Sequence, residues 1–386
     1  VIEFREPKDI KSMIQSFHIK NYRGFKDFKI EPFGRVNLIT GANNVGKTAL
    51  LEALYLNLGP VMAFRSNLDS SPVPESSTAH YLFRGFVRQG LGNIAKWGWL
   101  FHGKDLSQSV ELTSKDEKGW AQKLKMDWLI EDSKGSLPIP SGVPPEDLQI
   151  YLEVVANPRK RGNVVAVIDV GEGCSEGESH VWRIEKHGGD RGLPAPYLLD
   201  LTPLRLLFSM SSRSPEEDTK WFSRLADIGR QDEVVGILRL IEPRLKDLAV
   251  STSDGPAMIY GDIGVGRRVP MSQMGEGMVR LLSLVLEITN GSGGVVLIDE
   301  IESGLHHSVL TKVWRAIGEA ARRSDTQVFA TTHSLECIRA AHEAFLLNGT
   351  YDLRLHRLER INGYVKAVTY DQETLDTSVE MNLEVR

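Results

Sequence analysis

Cross-linking, membrane insertion and bulk attraction to polyanions all find little support in this sequence. Its 386 residues include 2 cysteines, Cys174 and Cys337, too few for a disulfide framework and without the spacing of a metal site. Two ordinary thiols in a reducing compartment are expected, which places the chain in the cytoplasm. The best apolar run, Leu281 to Leu286, is soon interrupted by Glu287, far short of the roughly 20 residues that span a bilayer; no membrane partner is expected. Val1-Ile2-Glu3-Phe4-Arg5 has no basic segment followed by an apolar run, so no secretory signal is read there. A basic surplus is missing too: 46 Lys+Arg against 51 Asp+Glu leave a formal charge of -5. Dedicated nucleic-acid binders draw most of their affinity from phosphate contacts. Bulk charge therefore weighs against a pure DNA-binding role, while a local basic face stays open. No heptad run is sustained over several turns, which argues against a long coiled coil, and no internal repeat is found.

What is present is an average globular composition, 41% hydrophobic and 25% charged, in a chain too long for one small core. Three regions separate by pattern. Residues 1–60 read strand, loop, helix: Val36 to Thr40 is a short, mostly apolar strand, and Thr48 to Leu58 has helical spacing. Residues 261–386 alternate helix and strand. Met278, Leu281, Leu282 and Val285 recur at helical spacing, and Val295 to Ile298 reads as a buried strand. A helix through Val309, Val313 and Ile317 follows, then a strand, Val328 to Thr331. Short apolar strands alternating with helices predict a mostly parallel sheet covered on both faces. The end of the chain reads as a hairpin, Leu353 to Leu358 and Val365 to Tyr370 around Asn362-Gly363.

Residues 61–260 read as an insertion, β-rich and then helical. Ser109 to Thr113, Leu148 to Val155 and Val164 to Val170 have strand character separated by turn residues. From Pro203 to Val250 the spacing of Leu225, Ile228, Val235, Leu238 and Ile241 predicts helix. Asp69 to Thr78 and Ser136 to Asp147, rich in Ser and Pro, are expected as exposed loops.

Chemistry concentrates at a few points. Gly41-Ala42-Asn43-Asn44-Val45-Gly46-Lys47-Thr48 fits G-x-x-x-x-G-K-[ST], between a strand and a helix, the context this loop requires. Its glycines let backbone N–H groups curl around phosphate oxygens, Lys47 reaches the β/γ-phosphates, and the Thr48 hydroxyl is placed for Mg²⁺. Ala49 continues the first helical turn, whose positive end faces the same anion. Val295 to Glu300 is an apolar strand ending in two acids. Asp299 suits the Mg²⁺ shell and Glu300 a general base for the attacking water; a solvated acidic turn is the alternative for an isolated pair. Ser272-Gln273-Met274-Gly275-Glu276-Gly277 opens a helix and could hold an anion, although an N-cap beside a glycine turn looks the same. His333, just past the strand ending in Thr331, could sense a γ-phosphate or be a plain loop residue.

In this order the segments resemble the ATPase heads of the SMC/RecF superfamily, and in particular the ATPase module of OLD-family (overcoming lysogenisation defect) proteins. Phe17-His18-Ile19-Lys20-Asn21-Tyr22-Arg23-Gly24-Phe25, the phosphate loop with Asn43-Asn44, Val295 to Leu305, and Thr331-Thr332-His333-Ser334 carry the likeness, which covers both ends of the chain and the middle only loosely. It implies an α/β ABC/SMC-type P-loop head with an antiparallel β subdomain and a helical insertion, binding ATP and Mg²⁺ and hydrolysing ATP. It also implies a homodimer or higher homo-oligomer in which Ser272, Gly275 and Gly277 of one copy close over the γ-phosphate held by another. Ser303 and Gly304 would lie in the D-loop, and His333 would be the switch histidine. Arg23 would approach the phosphates; an exposed charge in a Tyr-Arg-Gly turn explains it equally well. The signature differs from the Leu-Ser-Gly-Gly of transporters, and the Q-loop glutamine has no clear counterpart beyond Gln89.

Other segments read as ordinary structure. Arg159-Lys160-Arg161 could touch a nucleic-acid backbone but fits a solvated hairpin tip. Gly261 to Gly266 lacks the flanking elements of a cofactor loop and reads as a turn. Trp97 and Trp99 fit packing or an interface, and His306-His307 lacks metal-site partners. OLD nucleases carry a TOPRIM domain after the head; the residues after His333 are too few for one of ordinary size. The expected function is therefore an ATPase subunit that controls a separate effector, a nuclease or toxin, in prokaryotic anti-phage defence. The alternative is a RecF-like repair ATPase that clamps DNA on binding ATP. A scaffold that binds ATP only to assemble fits poorly with intact Asp299 and Glu300. A transporter motor fits least, given the long separation of phosphate loop and signature.

Overall fold

The computed structural model describes residues 13–58, 98–132, 135–138, 150–157, 163–169, 181–187, 204–207, 215–252, 255–347, 349–381 and 383–385. Its strands in chain order are β1 (Ile14–Tyr22), β2 (Phe25–Ile30), β3 (Val36–Gly41), β4 (Val110–Asp116), β5 (Ala121–Asp132), β6 (Gly135–Pro138), β7 (Ile150–Asn157), β8 (Asn163–Asp169), β9 (Val181–His187), β10 (Leu204–Leu207), β11 (Asp247–Ser251), β12 (Met258–Asp262), β13 (Val269–Pro270), β14 (Val295–Ile298), β15 (Gln327–Thr331), β16 (Leu353–Ile361) and β17 (Tyr364–Tyr370). The helices are α1 (Lys47–Leu58), α2 (Pro215–Asp227), α3 (Gln231–Leu238), α4 (Glu276–Asn290), α5 (Leu310–Arg323), α6 (Leu335–Leu347) and α7 (Gln372–Glu380). None of the described helices is long and apolar enough to cross a membrane. The chain divides into two compact units: Val1–Pro32 with Thr48–Thr202 and Glu359–Ala367, and Phe33–Lys47 with Pro203–Leu358 and Val368–Arg386.

The first unit is built on an antiparallel sheet in the order β2-β1-β4-β5-β7-β8-β9, with β6 on β5. Period-2 alternation sets its faces: Val110, Leu112, Ser114 and Asp116 of β4 turn inward while Glu111 and Lys115 are exposed. β1 pairs through Phe17↔Ile30 and Phe17↔Ser114. From Leu50 onward α1 is buried all round, the pattern of a helix inside a core rather than on a surface. Its polar Asn57 is accommodated because Nδ2 donates to Leu112 O at 3.0 Å and Gln122 O at 3.2 Å.

The second unit carries a six-stranded sheet, β10-β14-β15-β3-β16-β17, parallel from β10 through β16. Every residue of β3, β14 and β15 is buried, as strands covered on both faces require. Asn362 and Gly363 take φ of 51 and 84, the left-handed pair of a tight hairpin turn. Leu281, Leu284, Val285, Trp314, Ala316 and Ile317 are completely buried, on the inward stripes of α4 and α5. α5 and α6 pack closely at Gly318, where a Cβ would lie 3.1 Å from Phe345 Cζ.

Two expectations are corrected here. The stretch from Pro203 to Val250 is not helical throughout: α2 and α3 lie inside it, but Leu204–Leu207 is a parallel strand on β14 and Asp247 begins the small β11-β12-β13 sheet. Four residues, three of them leucine, carry no usable periodicity, and pairing with β14 satisfies the backbone. Ile228 is 65% exposed because α2 stops at Asp227 and the chain turns at Gly229, φ 70. Of the loop expected at Ser136 to Asp147, residues 136–138 pair with β5 as β6. The remainder of that loop, the loop at Asp69 to Thr78, Val170, Gln89, Trp97, Arg159 to Arg161 and Cys174 lie outside the described residues.

Candidate active site

β3 ends at Gly41, whose φ is 137. A Cβ there would sit 2.5 Å from Leu358 O on β16 and 3.1 Å from Val45 Cγ1, so glycine is what lets the loop leave the sheet beside β16. Asn44 at φ 60 and Gly46 at φ 117 continue the curl, and Val45, 4% exposed, anchors it. Ala42, Asn43, Asn44 and Thr48 are exposed; Gly46, Lys47 and Ala49 are half-buried. Lys47 Nζ donates to Gly41 O at 2.6 Å and Ala42 O at 3.1 Å, closing the loop on itself. Burial pushes the Lys47 ammonium below its ordinary range, and the carboxylates of Asp299, Glu300 and Glu302 pull it back up.

β14 and β15 run in register to Ile298↔Ala330, and the acids follow at once. Asp299, 8% exposed, accepts a 2.5 Å hydrogen bond on Oδ1 from Thr331 Oγ1. Glu300 is half-buried with φ 46; its N–H donates to Thr331 Oγ1 at 2.8 Å, and Ser303 Oγ donates to its Oε2 at 3.4 Å. His333 projects to solvent just beyond β15, its backbone N–H donating to Glu302 Oε1 at 3.0 Å and its Nδ1 3.1 Å from the same oxygen. The Thr332 N–H donates to Ile39 O at 2.9 Å, tying this turn to β3. Lys47, Asp299, Glu300 and His333 thus gather at the carboxyl ends of three neighbouring parallel strands, where open α/β sheets place ligands.

The expected signature residues lie at the start of α4 in the same unit. Ser272 is exposed in a 3-10 turn at Met271–Gln273, Gly275 caps α4 with φ 100, and Gly277 is its second residue. They sit against the Ser303-Gly304-Leu305 turn: a Cβ on Gly304 would be 3.5 Å from Glu276 Oε1, and one on Gly277 3.9 Å from Leu305 Cδ2. A surface cavity of about 400 Å³ adjoins, lined by Glu302, Leu305, His307, Leu310, Ser334 and Glu336.

Arg23 is in the first unit, at φ 48. Its Nη1 lies 2.5 Å from Oε2 of Glu52, whose side chain is 8% exposed, so a buried carboxylate holds the guanidinium. Glu302 and Thr331 were not singled out from sequence. Glu302 could have been found as the third acid of Asp299-Glu300-Ile301-Glu302; Thr331 carries no local signal, since its role depends on register between β14 and β15. Among the described residues no group of three or more His, Cys, Asp or Glu could hold a metal by itself. The Thr48 hydroxyl and Asp299 carboxylate are nevertheless the hard oxygen donors that suit Mg²⁺, which takes few protein ligands beside phosphate oxygens. Trp99 is 57% exposed, with Lys104 Nζ 3.7 Å from its ring centroid. The buried Cys337 thiol is pushed up to about 12, by burial first and Glu302 second, and is inert at neutral pH.

Two domain families match the chain: an AAA ATPase domain over residues 13–78, and an AAA domain described as a putative AbiEii toxin of a type IV TA system over residues 183–339. An "ATP/GTP phosphatase" of Helicobacter pylori is 23% identical over 375 residues, covering 94% of this chain and 97% of that protein. The DNA replication and repair protein RecF of Clostridioides difficile is 32% identical over 92 residues, 24% of each chain. Among solved structures, an Smc head bound to the C-winged helix domain of ScpA covers 94% of this chain and 99% of its own at 14% identity and a TM-score of 0.48. The SMC head domain from Thermotoga maritima covers 93% and 99% at 12% identity and a TM-score of 0.41.

Proposed function

We propose that this chain, an ATPase with an SMC/RecF-type P-loop head, joins a second copy through shared ATP sites and so controls a separate effector, a nuclease or toxin, in prokaryotic defence. The observation that carries the ATP chemistry is the gathering of Lys47, Asp299, Glu300 and His333 at one end of the parallel sheet. In the proposed mechanism the backbone of Gly41 to Gly46 and Lys47 hold the phosphates, with Asn43, Asn44, Val45 and Ala49 shaping the loop and the helix start behind it. Thr48 and Asp299 would hold Mg²⁺, which would neutralise phosphate charge. Glu300 takes the proton as a water oxygen bonds to the γ-phosphorus and the bond to ADP breaks, while His333 senses the γ-phosphate. Ser272, Gly275 and Gly277 act on the γ-phosphate of the other copy; the exposure of Ser272 and Gly275 supports that. Arg23, paired with Glu52 in the first unit, is given no step in this mechanism.

Control of an effector is supported by the toxin–antitoxin description of the family matched over residues 183–339 and by the lack of a bulk basic surplus. The RecF matches favour a second reading, a clamp that closes on DNA when ATP joins the heads. Purifying Glu300→Gln from its host with ATP, and identifying what accompanies it, separates the two. A stoichiometric protein with a nuclease or toxin fold is expected. Nucleic acid without such a protein, together with DNA-stimulated turnover and steeply salt-dependent DNA binding, would favour the clamp and contradict effector control.

A further inference from the structure

We propose that Thr331 is a positioning residue for hydrolysis, its hydroxyl setting the Asp299 carboxylate and the Glu300 backbone at once. The proposal rests on the reading of Asp299 and Glu300 as the hydrolytic acids. Adjacent residues of a strand project to opposite faces; both acids lie past the end of β14 at Ile298, and they serve one site only if the chain turns there. It does so at Glu300, whose φ of 46 is disfavoured for any residue with a Cβ and persists only where the surroundings over-determine it.

Thr331 supplies that constraint. It is wholly buried, one step past the last β14–β15 rung at Ile298↔Ala330. Its hydroxyl donates its single hydrogen to Asp299 Oδ1 at 2.5 Å and accepts the Glu300 N–H at 2.8 Å. Its carbonyl accepts the Ile301 N–H at 3.0 Å. Both residues flanking the Asp299–Glu300 bond, and the one after them, are therefore fixed to one threonine. Thr331 is itself registered to Ile39 of β3, the strand that leads into the phosphate loop. A hydroxyl at this position spaces the acids relative to that loop; valine has the same shape without the donor or acceptor, and leaves the Glu300 N–H and an Asp299 carboxylate oxygen without that partner.

The test compares Thr331→Val with Thr331→Ser in the full chain. T331V should lose about 10- to 100-fold in turnover and need about 10-fold more Mg²⁺ for half-maximal rate, as when a group that orients metal ligands is removed, with the KM for ATP within about threefold. T331S, which keeps the hydroxyl, should recover most of the turnover. Thermal melting without nucleotide or metal gives a second readout. Glycine accepts a left-handed backbone without strain, so T331V should lower Tm about half as much in an E300G background as in the native one. If T331V does not fold, T331C replaces it, since a longer and weakly donating thiol should also lose the turnover that T331S keeps. T331V or T331C turning over within about threefold of wild type, T331S as impaired as either, or equal Tm losses in both backgrounds would each overturn the proposal. Glu300→Gln is the control: if it still hydrolyses ATP, the assignment of the acids fails instead.

Discussion

Glu302 holds His333 by two contacts on a single oxygen, one from the backbone N–H and one from Nδ1, and this leaves Nε2 as the outward nitrogen. A histidine oriented by a carboxylate loses about 10-fold or more of its effect when that partner is removed. Glu302→Ala should therefore lower ATP turnover about 10-fold while ATP affinity stays within about threefold, and Glu302→Gln should fall between; steady-state kinetics with a nucleotide-binding titration checks both. A second single-residue effect lies away from the site. His356 is wholly buried between Thr369 Oγ1 and Asn37 Oδ1, and burial, then Arg354, pushes its imidazole from 6.5 down to about 3. The unfolded chain thus binds the extra proton between those values. Stability from neutral His356 is fully present above 6.5 and lost as pH falls toward 3, by on the order of 3 kcal/mol at pH 4. Melting curves of wild type and His356→Gln across that window should converge as pH falls. Glu242, held at about 2 from 4.5 by Arg244, acts in a lower window and on the surface, so it does not mask this.

Among elements, the turn from β3 into α1 is the least tolerant of change. Gly41 combines φ 137 with a backbone carbonyl, Leu358 O, where a Cβ would stand. Gly41→Ala should lower stability by roughly 2–4 kcal/mol and abolish ATP binding, because β3 must shift from β16 before the loop can form. Chemical denaturation and nucleotide titration read the two effects separately. The same turn was legible in the sequence, since a contiguous G-x-x-x-x-G-K-T between an apolar strand and a helical pattern carries its own context. So were β14 with its two acids, and the hairpins around β4, β7 and β8, each marked by composition over adjacent residues. What stayed hidden depends on partners distant in sequence. β10 is four residues whose strand state comes from β14; Thr331 and Glu302 gain their roles from register across about 30 positions. The Arg23–Glu52 pair joins a turn to a helix between which no local pattern runs. Short-range periodicity reports faces, not the partners that meet there.

On the scale of the whole molecule, catalysis by the proposed mechanism requires two copies. One copy has the phosphate loop, both acids and His333 at one sheet end, while Ser272 and Gly275 are exposed at the start of α4. A shared site of this kind gives a two-fold assembly with two equivalent ATP positions. The charge of -5 sets no attraction between copies, so association should follow ATP occupancy rather than long-range steering.

The most direct test mixes two variants that should each be inactive alone: Lys47→Ala, expected to lose its hold on the phosphates, and Gly277→Arg, expected to block the proposed signature turn. In a mixed dimer one site draws its phosphate loop from the second variant and its signature from the first, and is whole. Equal mixing should restore about a quarter of wild-type turnover, since half the dimers are mixed and each has one good site of two. Turnover that remains at the level of the separate variants, although light scattering shows mixed dimers with ATP, would contradict hydrolysis at a shared site.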